Sequence, residues 1–401
     1  MYNPRNQRKI MAQNNVSKIG VATATITGMN AMIGSGIFTA PAAIGMYVGP
    51  AGIIAYLFVI IAVWLIAQSL ARVAARFPEE GSFYTYAKQW GGPVVGAIAG
   101  GAYFVGLLIA MGLLAQVGGT YLQHPFFPTM HAKTLGLIAL IALTVLNMFG
   151  VVLSELGQHI LIVTTTFPLI ITTVMCFSKA QLSNLTPFAP YGIRNILQAT
   201  RLVIFGFFGF ESASSLFSIV KDPQKNVPRA LTYSISIVGI IYLLFVASII
   251  ISTPLHLFTD PRIPLPTVLA SIFPTNTWIL TAIHISILSA VLGTIHSMIW
   301  GSSALLVSLA HQIWGVQLSQ RLAVLLIGCG IFGSFMSFEN LDLFFNLTAI
   351  LLIIAFSLSM VTLLTIKDEW KNGKNLITIG GLFTAGIIFY FAVENILEQL
   401  L

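Results

Sequence analysis

Hydrophobic residues fill this 401-residue chain in long runs, separated by short polar segments. Each run reaches roughly 20 residues or more, the length a helix needs to cross a hydrocarbon core of about 30 Å. A β-barrel would instead show short segments of alternating polarity. The pattern predicts eleven helical spans, near 19–45, 51–75, 93–122, 134–152, 158–178, 196–220, 230–252, 278–310, 321–338, 343–366 and 376–398. The eighth run is too long for one simple crossing, and a cytoplasmic turn or interfacial helix is expected around 310–320.

Composition agrees. Of the residues, 57% are hydrophobic and 8% charged, against about a quarter charged in soluble domains. The chain reads as an all-α integral membrane protein. Its net charge of +7 is scattered over short loops, so it does not indicate nucleic-acid binding. Cys176 and Cys329 lie inside apolar runs and predict no disulfide framework. The basic start leads into a span too long for a signal peptide, with no convincing cleavage site. Lys133, Lys179, Arg194, Arg201 and Arg262 fall on one side of the membrane, and the other 14 of 19 basic residues fall on the other. That bias places the N-terminus in the cytoplasm, and an odd number of spans places the C-terminus outside.

Two spans are interrupted. The first contains Ile33-Gly34-Ser35-Gly36-Ile37-Phe38, with Pro41 beyond; the sixth contains Phe205-Gly206-Phe207-Phe208-Gly209-Phe210-Glu211. Glycines in mid-span let the backbone leave the helix, which is tolerated at membrane depth only against protein or a wet cavity. Half-helix N–H groups at such a break favour an anion. Glu211 is an ionisable group where charge is expensive, a default sign of function. The plainer reading of both glycine pairs is close helix packing. Each interrupted span opens a block of five spans. Because five is odd, the second block enters from the opposite side, giving a five-plus-five inverted repeat with broken helices 1 and 6, a pointer to a midplane site. Segment boundaries follow: a cytoplasmic tail 1–18, a first repeat 19–178, a second 179–366, and an additional C-terminal span 367–401.

Other candidates read more blandly. Gly92, Gly96 and Gly100 form one small face for helix packing. The segment from Phe77 to Tyr86 reads as interfacial, its charges solvated. Thr164, Thr165 and Thr166 can satisfy carbonyls freed by Pro168. His284 and His296 are twelve residues apart, about a third of a turn out of phase at 3.6 residues per turn, and are poor joint metal ligands. Each reads first as a packing residue, with His296 also a candidate substrate contact.

Four patches together resemble the amino acid–polyamine–organocation superfamily of secondary transporters: Ile33 to Phe38 with Pro41; Pro78 to Tyr86; Gly209-Phe210-Glu211-Ser212; and Asp222 to Ala230. They cover roughly the first 230 residues; the rest agrees mainly in hydropathy. The resemblance implies alternating access. It implies that the backbone around Ile33, Gly34, Ser35 and Gly36 binds a substrate carboxylate, and that carbonyls near Phe205 and Gly206 hold its ammonium. Phe205 then matches an aromatic gate and Glu211 a coupling carboxylate; Phe208 is a further candidate substrate contact, and both aromatics read equally well as core. Three departures bear on coupling and assembly. Thr165 stands where some proton-coupled relatives carry lysine, Ser302-Ser303 replaces Ser-Arg, and a twelfth span is absent.

The expected function is secondary transport of an amino acid across the cell membrane, with no covalent chemistry, no cofactor, and H+ or Na+ as candidate coupling ions. Glu211, Phe205 and Thr165 are the expected coupling and gating positions. Few acidic residues lie centrally in the spans, which tilts the substrate toward neutral. Alternatives are a cationic amino acid or polyamine antiporter, a passive channel, and a membrane-embedded enzyme using His284, His296 and Glu211, for which no motif is present. The expected partners are a small-molecule substrate and the lipid bilayer.

Overall fold

A computed structural model describes residues 18–77, 82–149, 151–212, 219–258, 265–337 and 341–400, and the following statements concern those residues. The tail before residue 18, the segment 78–81, the residues just after Ser212 and the segment holding Arg262 lie outside them. The described chain is helical, with a single isolated β-bridge between Ile19 and Val220.

The elements in order are α1 (Val21–Met32), α2 (Gly36–Tyr47), α3 (Gly52–Arg76), α4 (Ser82–Phe126), α5 (Ala132–Met148), α6 (Val151–Ser178), α7 (Gly192–Phe205), α8 (Pro223–Ser252), α9 (Leu265–Ile272), α10 (Thr277–Trp314), α11 (Gln320–Ser337), α12 (Leu341–Leu364), α13 (Lys367–Lys371) and α14 (Asn375–Leu400). Eight described helices are long and apolar enough to cross a membrane, or nine if α1 and α2, bent by 41°, are one broken span. Two of the eleven expected spans differ. The stretch 134–152 holds α5, whose 17 residues reach about 26 Å at 1.5 Å per residue. The stretch 196–220 holds α7, 14 residues long, which stops at the second glycine-rich interruption.

The long eighth run is one continuous helix of 38 residues, about 57 Å, and its turn follows Trp314, inside the expected 310–320. Two local readings change. Gly92 is not part of a packing face: at φ 72°, ψ −174° it breaks α4, a conformation open to glycine because it lacks Cβ. The short piece before the break folds back on the longer piece, so Gly96 and Gly100 receive Tyr84 of the same element. Finally, Thr164 and Thr166 donate to carbonyls one turn back, at Ile160 (3.0 Å) and Ile162 (2.6 Å), so they do not repair the proline gap. Beside that gap, the carbonyl of Thr165 accepts from Ser286 of α10 at 2.6 Å.

Packing places the two interrupted elements at the centre. α1 lies against α6, α8 and α10, while α7 lies against α2, α3, α12 and α14. Their far ends are also joined: Ile19 donates to Ile219 and accepts from Lys221, both at 2.9 Å. Away from the centre, Arg72 of α3 meets Glu369 of α13 at 2.6 Å. Its guanidinium also donates to Thr378 and to the carbonyl of Lys374 at the start of α14.

Candidate functional site

The first interruption follows from three residues that leave the helical path. Ile33 still donates to Met29, but Gly34 turns to Met32 at 2.8 Å, and α2 restarts from Ser35, whose carbonyl accepts from Phe38 and Thr39. The first N–H groups of α2 therefore have no helical acceptor. In the second, Gly206, Phe207 and Phe208 each bond three residues back, a tightened turn of the kind that ends helices. Gly209 then takes φ 110°, where side chains are strained. Its N–H donates to the Glu211 carboxylate at 3.0 Å, and Tyr103 of α4 hydrogen-bonds the same carboxylate. Buried Glu211 thus holds its own break in shape and ties it to α4.

The two interruptions meet backbone to backbone. A Cβ on Gly36 would sit 2.7 Å from the Cα and 3.0 Å from the N of Gly206, and a Cβ on Gly209 would collide with the carbonyl of Ala31. Glycine at these positions is a requirement of close approach. Tyr242 of α8 joins them a second time, its hydroxyl 2.9 Å from the carbonyls of both Met32 and Gly206. Its ring stands edge-on to Phe207, with centroids 4.9 Å apart. On the opposite flank, Thr294 of α10 donates to the carbonyl of Asn30 at 2.8 Å.

Between these elements lies a cavity. Gly34, Ser35 and Gly36 form one side, Phe205 and Phe208 another, and Ala110, Leu114, Thr294 and Met298 of α4 and α10 close it. Its volume is about 10 Å³, the least that holds one water molecule. The site is shut. Roomier concavities lie elsewhere, between Lys179 and Leu257 and around Tyr191 and His256. They are open to the surface and lie away from both interruptions.

The expected site residues thus fall into three groups. Gly34, Ser35, Gly36, Phe205 and Phe208 come together on the cavity wall, with Ile33 buried beside them and Gly206 backing Gly36. Glu211 stands behind the second break. Thr165 and His296 are turned elsewhere. The Thr165 hydroxyl is buried without a hydrogen-bond partner. His296 shares α10 with Thr294 and Met298, but its Nδ1 lies 2.9 Å from the Asn147 amide and its Nε2 edge faces Gly157. Asn30 was not anticipated, although its amide meets both the carbonyl and the side chain of Gln158 at 2.7 Å. Neither was Tyr242, nor Thr294. Among the described residues no cluster of His, Cys, Asp or Glu could hold a metal.

Comparison with known proteins identifies the family and the fold. The family model for amino acid permeases matches residues 19–398, and the chain belongs to that family. It is 26% identical over 298 residues to an uncharacterized transporter of Mycobacterium tuberculosis, covering 74% of this chain and 66% of the relative. It is 23% identical over 314 residues to the branched-chain amino acid permease BcaP of Bacillus subtilis (74% and 67%). It is 26% identical over 301 residues to the aromatic amino acid transport protein AroP of Escherichia coli (72% and 65%). The chain thus spans about two thirds of the length of these relatives. The crystal structure of MhsT in complex with L-phenylalanine shares the fold, with a TM-score of 0.64 at 14% identity, covering 92% of this chain and 97% of that one.

Proposed function

We propose that this permease-family chain is a secondary transporter that carries a neutral amino acid across the cell membrane by alternating access, with its N-terminus in the cytoplasm. The observation that carries the reading is the pairing of two broken helices around one closed cavity. The start of α2 offers unbonded N–H groups and the positive end of a helix dipole to a carboxylate. The carbonyls that end α1 and α7 lie beside this space, those of Met32 and Gly206 now held by the Tyr242 hydroxyl; carbonyls at such breaks suit an ammonium group, the division of labour expected at discontinuous helices.

The side chain of the substrate would meet Phe205, Phe208, Leu114, Ala110 and Met298, a wall with no charged member. A cationic side chain would find no carboxylate there, since Glu211 is turned to Gly209 and Tyr103. Apolar amino acids fit this wall best, and two relatives are named for branched-chain and aromatic amino acids. Because the cavity is shut, substrate enters only if the broken elements move relative to α4 and α10. Glu211 links the second break to α4 across that boundary and is the residue we assign to coupling. Coupling to H+ through Glu211 and obligate exchange are the schemes this reading favours, with Na+ the other candidate ion.

The test is uptake by purified protein in liposomes. Labelled leucine or phenylalanine should accumulate saturably, either with an inward proton gradient or against an internal amino acid, and excess arginine or putrescine should not compete. Competition by arginine or putrescine at leucine-like concentrations would overturn the neutral assignment. Folded protein that moves no amino acid under any gradient would overturn the transport assignment itself.

A further inference from the structure

Away from the central site, an apolar groove of about 500 Å³ runs between the start of the longer piece of α4 and the end of α10. It faces outward. Val94 on one wall is 71% exposed and Trp314 on the other is 68% exposed, and Ile98 and Val105 continue the same exposed apolar stripe along α4. The groove is not the gap left by a missing atom or two: a Cβ placed on Gly101 meets nothing within 4 Å. Its rim has a different chemistry. Tyr84, on the short piece of α4 folded back at Gly92, lines the groove, and the Lys88 ammonium stands 5.5 Å from the centre of that ring. Beside it Thr85 donates to the Gln312 side chain at 3.3 Å. An apolar trough thus ends at a polar rim bearing a cation.

We propose that this groove is a binding site for one anionic phospholipid, with an acyl chain along Gly101 and the phosphate at Lys88. Within a bilayer an acyl chain gains little by leaving other chains, because lipid tails are as apolar as the groove. Retention therefore rests on fit within the groove, and selection among lipids rests on charge. The lipid comes from the leaflet on Lys88's side, which the distribution of basic residues assigns to the cytoplasm. That leaflet is the usual anionic one, and basic residues next to it attract its headgroups.

The experiment is native mass spectrometry of the full chain released from nanodiscs of equal phosphatidylglycerol and phosphatidylcholine. Wild type should retain one phospholipid, with the anionic species favoured about five-fold, the ratio that corresponds to about 1 kcal/mol per basic residue at an anionic surface. Gly101→Leu puts a side chain into the groove from a Cβ position that meets nothing within 4 Å and should lose the bound lipid. Lys88→Gln should keep a lipid and lose the anionic preference, and it decides the matter alone if Gly101→Leu does not fold. Equal lipid retention by Gly101→Leu and wild type would overturn the proposal, as would unchanged preference in Lys88→Gln. A wild-type dimer that Gly101→Leu dissolves would also overturn it, since the occupant would then be a second copy of the chain.

Discussion

Replacing Gly36 by alanine tests the contact between the two interruptions with a single methyl group. The new Cβ would lie 2.7 Å from the Cα and 3.0 Å from the N of Gly206, well inside ordinary van der Waals contact. Neither neighbour is a side chain that can rotate away, so the breaks must separate by several tenths of an ångström. Overpacking of this kind costs about 1–3 kcal/mol. Under the proposed alternating access the contact belongs to the closed state, so the penalty falls there. A penalty of that size lowers apparent substrate affinity by about 5- to 150-fold, with little change in the fully open form. Gly386→Ala on α14 is the matched control, because a Cβ there meets nothing within 4 Å. The assay is concentration-dependent uptake in liposomes, together with thermal unfolding of both variants in detergent. If Gly36→Ala binds and melts like Gly386→Ala, the backbone-to-backbone contact is not a feature of the working transporter.

Three further outcomes are expected. Tyr242→Phe keeps the ring against Phe207 but takes the hydroxyl from the Gly206 carbonyl and from the Met32 carbonyl, which keeps only the Gly34 N–H, at a cost of about 1–3 kcal/mol; an unfolding midpoint and uptake rate equal to wild type would remove Tyr242 from the clamp. In a proton symporter, uptake rises as external pH falls because the coupling carboxyl must load a proton. Glu211→Gln, fixed in the uncharged form, should flatten that dependence, and a wild-type pH profile in the variant would exclude Glu211 as the proton carrier. Arg72 and Glu369 have side chains only 18% and 4% exposed, so Glu369→Ala takes the counter-charge from a guanidinium that keeps only neutral acceptors, among them Thr378 and the Lys374 carbonyl, and should cost about 3 kcal/mol. The double variant Arg72→Met, Glu369→Leu should regain most of it, and a loss equal to the sum of the singles would argue against direct pairing.

Both interruptions were legible in the sequence, because Gly34, Gly36, Gly206 and Gly209 sit where an apolar span should be continuous, and few other residues tolerate what glycine does there. Glu211 was legible for a related reason, as a charge out of place. Gly92 was not, since glycines at four-residue spacing read equally well as a packing face; the signal lay in the change from polar-aromatic to apolar residues across it. Tyr242 sits in an apolar run and looks like core. Its partners are 210 and 36 residues away, and no local pattern encodes a hydroxyl shared by two carbonyls. The Arg72–Glu369 pair joins residues 297 apart, a pairing that no local pattern reports. His296 was singled out because it is titratable, yet its neighbours are set by which side of α10 faces α5 and α6, which hydropathy does not report.

The bridge at Ile19 bears on kinetics. With Ile19 bonded to both Ile219 and Lys221, the start of α1 and the strand-like segment entering α8 share one set of coordinates. Neither can swing while the other stays, short of breaking two backbone hydrogen bonds at once. The pair is therefore expected to move as one unit, although the two segments lie about 200 residues apart in the sequence. Rearrangement between outward- and inward-facing forms should follow a single relaxation, reported equally by a probe on either segment, with the distance between the two probes unchanged throughout.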